Sequence, residues 1–192
     1  DGSLSHDRVA FADFIPNNWS SWPTTYQTVD IIKDSQDEAI VKITRDFGKV
    51  VISTIYSLAS GSDLIHVKTT MTNEGEALVD MLSGYTLWPD AGYKFAVPGY
   101  AGKEEAVLND PIADRFVGYD ADWAIALHAP DMTEIKSKSR DLYTQHSLKK
   151  SESITYEGVY QVLASGDLSP VTRAEIERKN LPSGTLTGSV KT

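Results

Sequence analysis

Apolar and polar residues alternate through the middle of the chain, as they do in β-strands that bury one face. Runs rich in β-branched residues show this pattern at residues 39–45, 49–58, 64–72 and 77–88. Short clusters of Asp, Asn, Ser and Gly separate the runs and can form the turns. Because such turn signals recur about every ten residues, the pattern predicts an antiparallel meander of these strands.

The run at residues 64–72 shows the two faces of a strand most clearly. Ile65, Val67 and Met71 share one side, whereas His66 and Lys68 lie on the other side, which is mostly polar. The strand is therefore predicted to be half buried, with His66 on its polar face.

Residues 89–121 break the alternation, because Pro and Gly recur throughout them. We expect a long irregular excursion with one short strand, of the kind that carries function or covers a sheet face. Regular strands are predicted to resume at residues 122–128, 142–148 and 153–163.

The chain changes character near its C-terminal end. Ser169 followed by Pro170 is typical of a helix N-cap and first turn, which predicts a short helix over residues 171–179 that ends at Asn180. Residues 185–190 alternate like the first strand of another domain. We therefore expect a β-sandwich domain over residues 1–168, a weakly packed helix and linker over 169–184, and the first strand of a following domain over 185–192.

Charge and cysteine content narrow the classes of function. The 192 residues carry a formal net charge of −9 and include no cysteine. An acidic surface repels phosphate backbones and anionic lipids, so we expect neither nucleic-acid binding nor membrane insertion. The absence of cysteine excludes disulfides, thiolate metal sites and a Cys nucleophile. The chain opens Asp1-Gly2-Ser3 without an initiator Met, so we expect its start to be either a processed end or a boundary cut within a longer protein. We also expect an exported bacterial protein in an extracellular or periplasmic location.

Recognisable catalytic motifs are absent from the sequence. It has no Gly-x-Ser-x-Gly elbow, no His-Glu-x-x-His motif and no phosphate-binding Gly-rich loop. His66 and His128 lie on predicted strands that could face one side of a sheet, but no histidine stands at metal-ligand spacing from another. The carboxylates of residues 104–122 show no calcium-loop spacing. We therefore predict no catalytic residues, no metal site and no cofactor.

Aromatic residues beside a carboxylate provide the candidate binding site. Trp88 and Tyr93 flank Asp90 where the fourth predicted strand enters the excursion. An aromatic ring packs on the C–H face of a sugar while a carboxylate accepts hydrogen bonds from hydroxyls. Trp88, Asp90, Tyr93 and His66 are therefore the predicted ligand-binding residues. The alternative is that Trp88 closes the hydrophobic core and Asp90 bonds only nearby backbone amides.

Two stretches resemble the galactose-mutarotase-like supersandwich domains. In residues 61–76, GSDLIHVKTTMTNEGE, a strand ends in Thr-Asn and leads through a Gly-containing turn to the next strand, as in that family. Residues 148–158, LKKSESITYEG, resemble a late strand of such domains. The resemblance spans residues 30–165 and implies an all-β antiparallel supersandwich. The histidine motifs of catalytic mutarotases are not found here, so it implies the fold without the activity.

The C-terminal stretch carries a second resemblance. Residues 183–190, SGTLTGSV, resemble the opening strand of a carboxypeptidase-regulatory-like β-sandwich, a domain appended in series to exported bacterial proteins. Residues 157–171 followed by this strand resemble the N-terminal region of some exported metal-dependent hydrolases. These resemblances imply neighbouring domains of a parent protein as partners, with any hydrolase lying outside this chain.

Three functions are compatible with the sequence. The first is a non-catalytic accessory or ligand-binding module, with a carbohydrate as ligand, within a larger secreted bacterial protein. The second is a divergent aldose-epimerase or sugar-processing enzyme fragment, and the third is a structural spacer. A concave sheet face lined by His66, a carboxylate and aromatic residues would favour the first two. A face covered by residues 89–121 would favour the third.

The two interpretations of Trp88 lead to different expectations for Trp88→Ala. A binding tryptophan affects affinity and leaves the melting temperature nearly unchanged, whereas loss of a core tryptophan costs about 3–5 kcal/mol of stability. We expect the first outcome, measured by a thermal melt and a glycan array on the same preparation. A large loss of stability would favour the alternative, in which Trp88 closes the hydrophobic core.

Overall fold

A computed structural model describes residues 27–46, 48–87, 93–103, 113–132, 134–136 and 141–184. These residues form β-strands and one short helix near the C-terminal end, so the predicted all-β architecture is confirmed. The elements are β1 Gln27–Asp34, β2 Glu38–Asp46, β3 Val50–Ala59, β4 Leu64–Asn73, β5 Leu78–Thr86, β6 Lys94–Val97, β7 Tyr100–Gly102, β8 Arg115–Tyr119, β9 Ala124–His128, β10 Glu134–Lys136, β11 Asp141–Leu148, β12 Ser153–Leu163 and α1 Ser169–Arg178.

The described strands form two antiparallel sheets. The larger sheet has nine strands in the order β1-β2-β3-β4-β12-β9-β8-β6-β7, and the smaller has three in the order β10-β11-β5. The last strand of the chain, β12, pairs with β4 on one side and β9 on the other. It therefore joins an N-terminal half of the larger sheet to a half formed by later residues.

The meander prediction is right for the first three predicted strands and wrong for the fourth. β2, β3 and β4 are consecutive neighbours, but β5 leaves this sheet and pairs with β11 in the smaller one. The stretch 89–121 also holds more regular structure than expected, because β6, β7 and β8 all lie within it. These strands have four, three and five residues, which is too short for alternation to be recognised against a Pro- and Gly-rich background.

The larger sheet has an inner face, which contacts the smaller sheet, and an outer face on the opposite side. Tyr85 of β5 is fully buried and joins the two sheets. Its hydroxyl oxygen lies 3.1 Å from the carbonyl oxygen of Tyr156, 3.3 Å from Thr69 Oγ1 and 3.4 Å from the carbonyl oxygen of Val67. Its ring packs edge-on against that of Tyr156, with centroids 5.3 Å apart. The ring of Tyr85 thus packs between the two sheets, while its hydroxyl group is hydrogen-bonded to strands of the larger sheet.

Two glycines allow the sheets to approach this closely. A Cβ at Gly158 of β12 would lie 2.8 Å from Tyr85 Cε2, closer than real Cβ atoms approach a neighbour. A Cβ at Gly84, next to Tyr85, would lie 1.8 Å from the carbonyl oxygen of Leu142 on β11. Any side chain at these positions would push β5 away from its partners.

Helix α1 lies on the outer face with two of its side chains buried there, and the expectation that it packs weakly stays a prediction. Val171 is buried, and the Glu175 side chain is buried against the sheet. Small side chains on β6, β8 and β9 make room for Val171, namely Ala96, Val117, Ala124 and Ala126. The domain boundary at residue 168 stays a prediction, and residues 185–192, where a further strand was expected, lie outside the described residues.

The ends of α1 differ in one respect from the expected caps. Leu168 rather than Ser169 occupies the N-cap position, and Asp167 accepts hydrogen bonds from the backbone N–H and the hydroxyl of Ser169. At the other end Asn180 has a φ of 49°, as expected for the residue that ends the helix. The backbone N–H groups of Asn180 and Leu181 donate to the last turn in a Schellman motif. No helix in the described part of the chain is long and apolar enough to cross a membrane.

We expect Tyr85→Phe to lower the free energy of unfolding by about 1–2 kcal/mol, because buried acceptors on β4 and β12 lose their donor while the ring contacts remain. Chemical denaturation measures the change. Tyr119→Phe is the matched control, because the Tyr119 ring is half-buried and lies against the outer face with Lys94 Nζ 5.9 Å above it. An equal loss in both variants would show that the Tyr85 hydroxyl does not join the sheets.

Candidate functional site

A row of aligned residues crosses the outer face of the larger sheet. Ser57 on β3, His66 on β4, Val159 on β12, His128 on β9 and Arg115 on β8 are successive cross-strand partners. Directly opposed residues of antiparallel strands point to the same side. His66 and His128 therefore share the outer face, as the sequence suggested, with β12 between their strands.

A groove of about 450 Å³ lies on this face where the exposed part of the sheet meets the C-terminal end of α1. Apolar side chains line part of it, and polar and charged side chains line the rest. The apolar set is Ile55, Pro130 and Val159, and the polar set is Ser57, His66, Lys68, Glu157 and Arg178. Among its described lining residues there is no Trp, Tyr or Phe. The groove thus combines an apolar floor with several hydrogen-bonding groups, which is the usual composition of a small-ligand site.

The charged residues of the groove are paired with one another or with neighbours. Lys68 Nζ lies 2.9 Å from Glu157 Oε1, and both side chains are more than half exposed. Arg178 Nη2 lies 3.0 Å from Asp114 Oδ2 and 2.8 Å from Glu175 Oε2. The groove therefore presents both donors and acceptors to a ligand but no unpaired cation for an anion.

His128 is sealed beneath α1 and does not reach the groove. It is only 2% exposed, and both ring nitrogens face oxygen atoms. Nδ1 lies 2.5 Å from Glu175 Oε1, and Nε2 lies 3.2 Å from Gln161 Oε1. The Gln161 amide nitrogen in turn donates to Asp63 Oδ2 at 2.9 Å. These contacts hold the ring in place and leave neither nitrogen available to a ligand.

Two carboxylates at the base of α1 keep their charge through these contacts. Burial by itself would raise the pKa of Glu175, but hydrogen bonds from His128, Arg178 and Lys179 outweigh it and hold the pKa well below the usual range. Burial also opposes ionisation of Asp114, and hydrogen bonds from Lys179 and Arg178 lower its pKa in the same way. Both groups therefore stabilise the fold as carboxylates.

The structure does not bring together all of the predicted ligand-binding residues. His66 is exposed and lines the groove. Tyr93 is half-buried on the inner side, where it packs against the core with its ring centroid 6.5 Å from that of Trp123. His66 and Tyr93 thus lie on opposite sides of the larger sheet. Trp88 and Asp90 lie outside the described residues, and their roles stay predictions.

Several residues of the groove and its wall were missed at the level of sequence. Lys68 and Glu157 lie on different strands, and only the pairing of β4 with β12 makes them neighbours. Glu175, Arg178 and Lys179 follow the i, i+3 and i+4 spacing of ordinary ion pairs on an exposed helix. Val171 and Ala174 are apolar and lie on the same face of the helix as Glu175 and Arg178. Their apolar character was the one signal in the sequence that this face is buried.

Comparison with protein-family models gives no match, and comparison with curated proteins gives none. Among solved structures, the chain is similar to the GH36 α-galactosidase AgaB from Geobacillus stearothermophilus, with 11% identity, a TM-score of 0.46 and coverage of 73% of this chain and 27% of that one. It is also similar to a putative aldose 1-epimerase from Klebsiella pneumoniae, with 12% identity, a TM-score of 0.45 and coverage of 78% and 57%. A TPR-domain containing protein from Parabacteroides distasonis shares 10% identity at a TM-score of 0.46, with coverage of 79% and 36%.

The chain thus spans from 27% to 57% of the length of these three proteins. Two of the three names refer to sugar-acting enzymes. The described residues carry no cluster of three or more His, Asp or Glu side chains that could hold a metal ion.

We expect stability to fall on acidification, because the pKa values of Glu175 and Asp114 are lower in the folded than in the unfolded state. Their contribution is complete above the unfolded-state values of about 4, and it is lost as the pH falls through the lower folded-state values. Thermal melts from pH 7 to pH 2 measure the effect. Asp114→Asn should flatten the acid limb of the curve.

Asp122→Asn is the control for this experiment, since Asp122 is an exposed carboxylate in the turn between β8 and β9. Its acid limb should follow that of the parent chain. If Asp114→Asn and Asp122→Asn have the same effect, the contacts of Asp114 with the base of α1 do not contribute to stability.

Proposed function

We propose that this chain is a non-catalytic module that binds a carbohydrate in the groove beside α1. One observation carries the proposal: a groove of about 450 Å³ in which an apolar floor adjoins polar groups, the charged ones among them already paired. Sugars present the matching surface, since their C–H faces are apolar and their hydroxyls both donate and accept hydrogen bonds. His66, predicted from the sequence as a ligand-binding residue, contributes an exposed imidazole to this groove.

The pairing of charges in the groove favours a neutral ligand. Lys68 is paired with Glu157, and Arg178 is paired with Asp114 and Glu175. These two lining cations therefore do not need a carboxylate or phosphate group of the ligand as a partner. Each pair can still share a donor or an acceptor with a hydroxyl group at little electrostatic cost. The apolar contacts come from Ile55 and Val159, and Ile55 is 37% exposed in the free chain.

The enzyme alternative has weaker support from the same residues. Acid–base work on a sugar needs two titratable groups within reach of the ligand, each free to exchange a proton. His66 is the one imidazole on the described wall of the groove, Glu157 beside it is paired with Lys68, and both nitrogens of His128 are already bonded beneath the helix. The spacer alternative is compatible with the fold but leaves the groove without a role.

The wider setting of the module is also part of the proposal. We infer that it belongs to a larger secreted bacterial protein, extracellular or periplasmic, in which it serves as an accessory domain beside its neighbours. Its support lies in the cysteine-free acidic composition and in the resemblance of residues 183–190 to the start of an appended β-sandwich. The mutarotase-like supersandwich assignment belongs to the same proposal, and its support is the sequence of residues 61–76 together with the two antiparallel sheets.

We expect a glycan array that includes neutral oligosaccharides to yield a ligand, and His66→Ala to weaken its binding at least fivefold, which corresponds to about 1 kcal/mol from a lost hydrogen bond. The double variant Lys68→Ala with Glu157→Ala should weaken it further without unfolding the chain, because exposed pairs contribute about 0–1 kcal/mol to stability. Isothermal titration calorimetry with the array hit measures both.

Thr155→Ala is the matched control for the groove variants. Thr155 is exposed on the same face of β12 as Glu157, where its hydroxyl bonds to that of Thr70 at 3.0 Å, and it does not line the groove. Its affinity should equal that of the parent chain. An array without hits would refute carbohydrate binding. Accelerated mutarotation of fresh glucose or galactose that His66→Ala abolishes would favour the enzyme alternative.

A further inference from the structure

The hydrogen bonds around His128 determine the protonation of its Nε2 atom. The amide nitrogen of Gln161 donates to Asp63 Oδ2 at 2.9 Å, and this contact fixes which way the amide points. The atom that faces His128 Nε2, at 3.2 Å, is therefore the amide oxygen Oε1. Because an amide oxygen can only accept a hydrogen bond, Nε2 carries a hydrogen.

The other ring nitrogen also faces an acceptor. Nδ1 lies 2.5 Å from Glu175 Oε1. Arg178 Nη2 lies 2.8 Å and Lys179 Nζ 3.1 Å from Glu175 Oε2, and these two cations bind the group as a carboxylate, which can only accept. Nδ1 therefore carries a hydrogen as well, and the buried ring is an imidazolium.

We propose that the imidazolium of His128 is a proton-dependent latch that holds α1 on the outer face and keeps Arg178 in the wall of the groove. Loss of the Nδ1 proton would leave a lone pair facing a carboxylate oxygen in a site where both side chains are buried, and two acceptors repel. Glu175 would then lose its contact with the sheet, and Arg178, which donates to it through Nε and Nη2, would move with the helix. The part of this proposal that concerns ligand binding rests on the proposed function.

Charged groups from each neighbouring element surround the His128 ring. Arg115, directly opposite His128 on β8, and Arg178 and Lys179 at the end of α1 oppose a charge on the ring. Glu175 favours it by direct contact, Asp114 neutralises Arg178 and Lys179, and Asp63 acts through Gln161. Among the described residues, three cations and three carboxylates thus surround the ring, and Glu175 is the carboxylate in direct contact with it.

Nitrogen NMR of the unmodified, ¹⁵N-labelled chain tests the protonation directly. At pH 7.0 we expect both ring nitrogens of His128 to give the resonances of protonated nitrogen. His66, which is exposed on the same face, is the internal reference. A His128 ring with one protonated and one unprotonated nitrogen at this pH would overturn the proposal.

Amide hydrogen exchange tests the mechanical consequence. After correction for intrinsic exchange, protection of the α1 amides relative to those of β4 should fall at least tenfold between pH 6 and pH 9. In Glu175→Gln the side chain can turn its amide N–H toward a neutral ring, so α1 should be less protected at pH 6 but its protection should not change with pH. Glu177→Gln is the matched control, because Glu177 is exposed on the same helix and should keep the pH dependence of the parent chain.

Neither measurement needs a ligand, so failure of the latch and failure of the proposed function can be told apart. If a glycan binds, its affinity should decrease as the pH rises from 6 to 9, in parallel with the protection of the α1 amides. His66→Ala should weaken binding but leave that protection unchanged. A pH-independent protection of α1 in the parent chain would refute the latch even if a glycan binds. Protonated ring nitrogens with pH-dependent protection would support the latch even if the glycan array has no hits.

Discussion

A buried carboxylate, that of Glu175, holds the outer half of this structure together. An ion removed from water is strongly destabilising unless charged and polar partners replace the water. Glu175 finds those partners in His128 on β9 and in Arg178 and Lys179 on its own helix. The two helix cations also bind Asp114 just before β8. The position of α1, the cover over β6, β8 and β9, and the wall of the groove all depend on this one cluster.

The two faces of the larger sheet are stabilised in different ways. The inner face buries aromatic and aliphatic side chains around Tyr85, whose hydroxyl bonds to β4 and β12 while Gly158 gives its ring room. Within the described residues, the outer face is covered where small residues accept the helix. Beyond the helix it carries exposed hydroxyl pairs between β4 and β12, such as Thr72 with Ser153 at 2.8 Å. An exposed polar sheet can remain stable because its backbone groups are paired within the ladder.

The groove lies at the border between the covered and uncovered halves of the outer face. A sheet surface alone offers a ligand little enclosure, and the end of α1 adds the wall that makes a depression. Because Arg178 belongs both to this wall and to the Glu175 cluster, the shape of the groove is coupled to the charges beneath the helix. The shape of the groove and the packing of the helix are therefore parts of the same electrostatic arrangement.

The amino-acid sequence by itself determined the class of fold and the faces of its long strands. β4 and β12 were predictable because ten or more alternating residues specify a strand with one buried side, and this placed His66 on the polar face. The Asn180 helix end was predictable because a local left-handed conformation suits that residue. Strands of three to five residues, such as β6 and β7, were not, because alternation needs length.

Only the tertiary structure decided how these elements meet. The insertion of β12 between β4 and β9 pairs residues distant in sequence, and it creates both the Lys68–Glu157 pair and the row that aligns His66 with His128. Glu175 and His128 are 47 positions apart, and nothing local distinguishes this glutamate from a solvated charge on an exposed helix. Periodicity is a property of neighbouring residues, whereas the burial of a charge depends on which distant groups the fold brings to it.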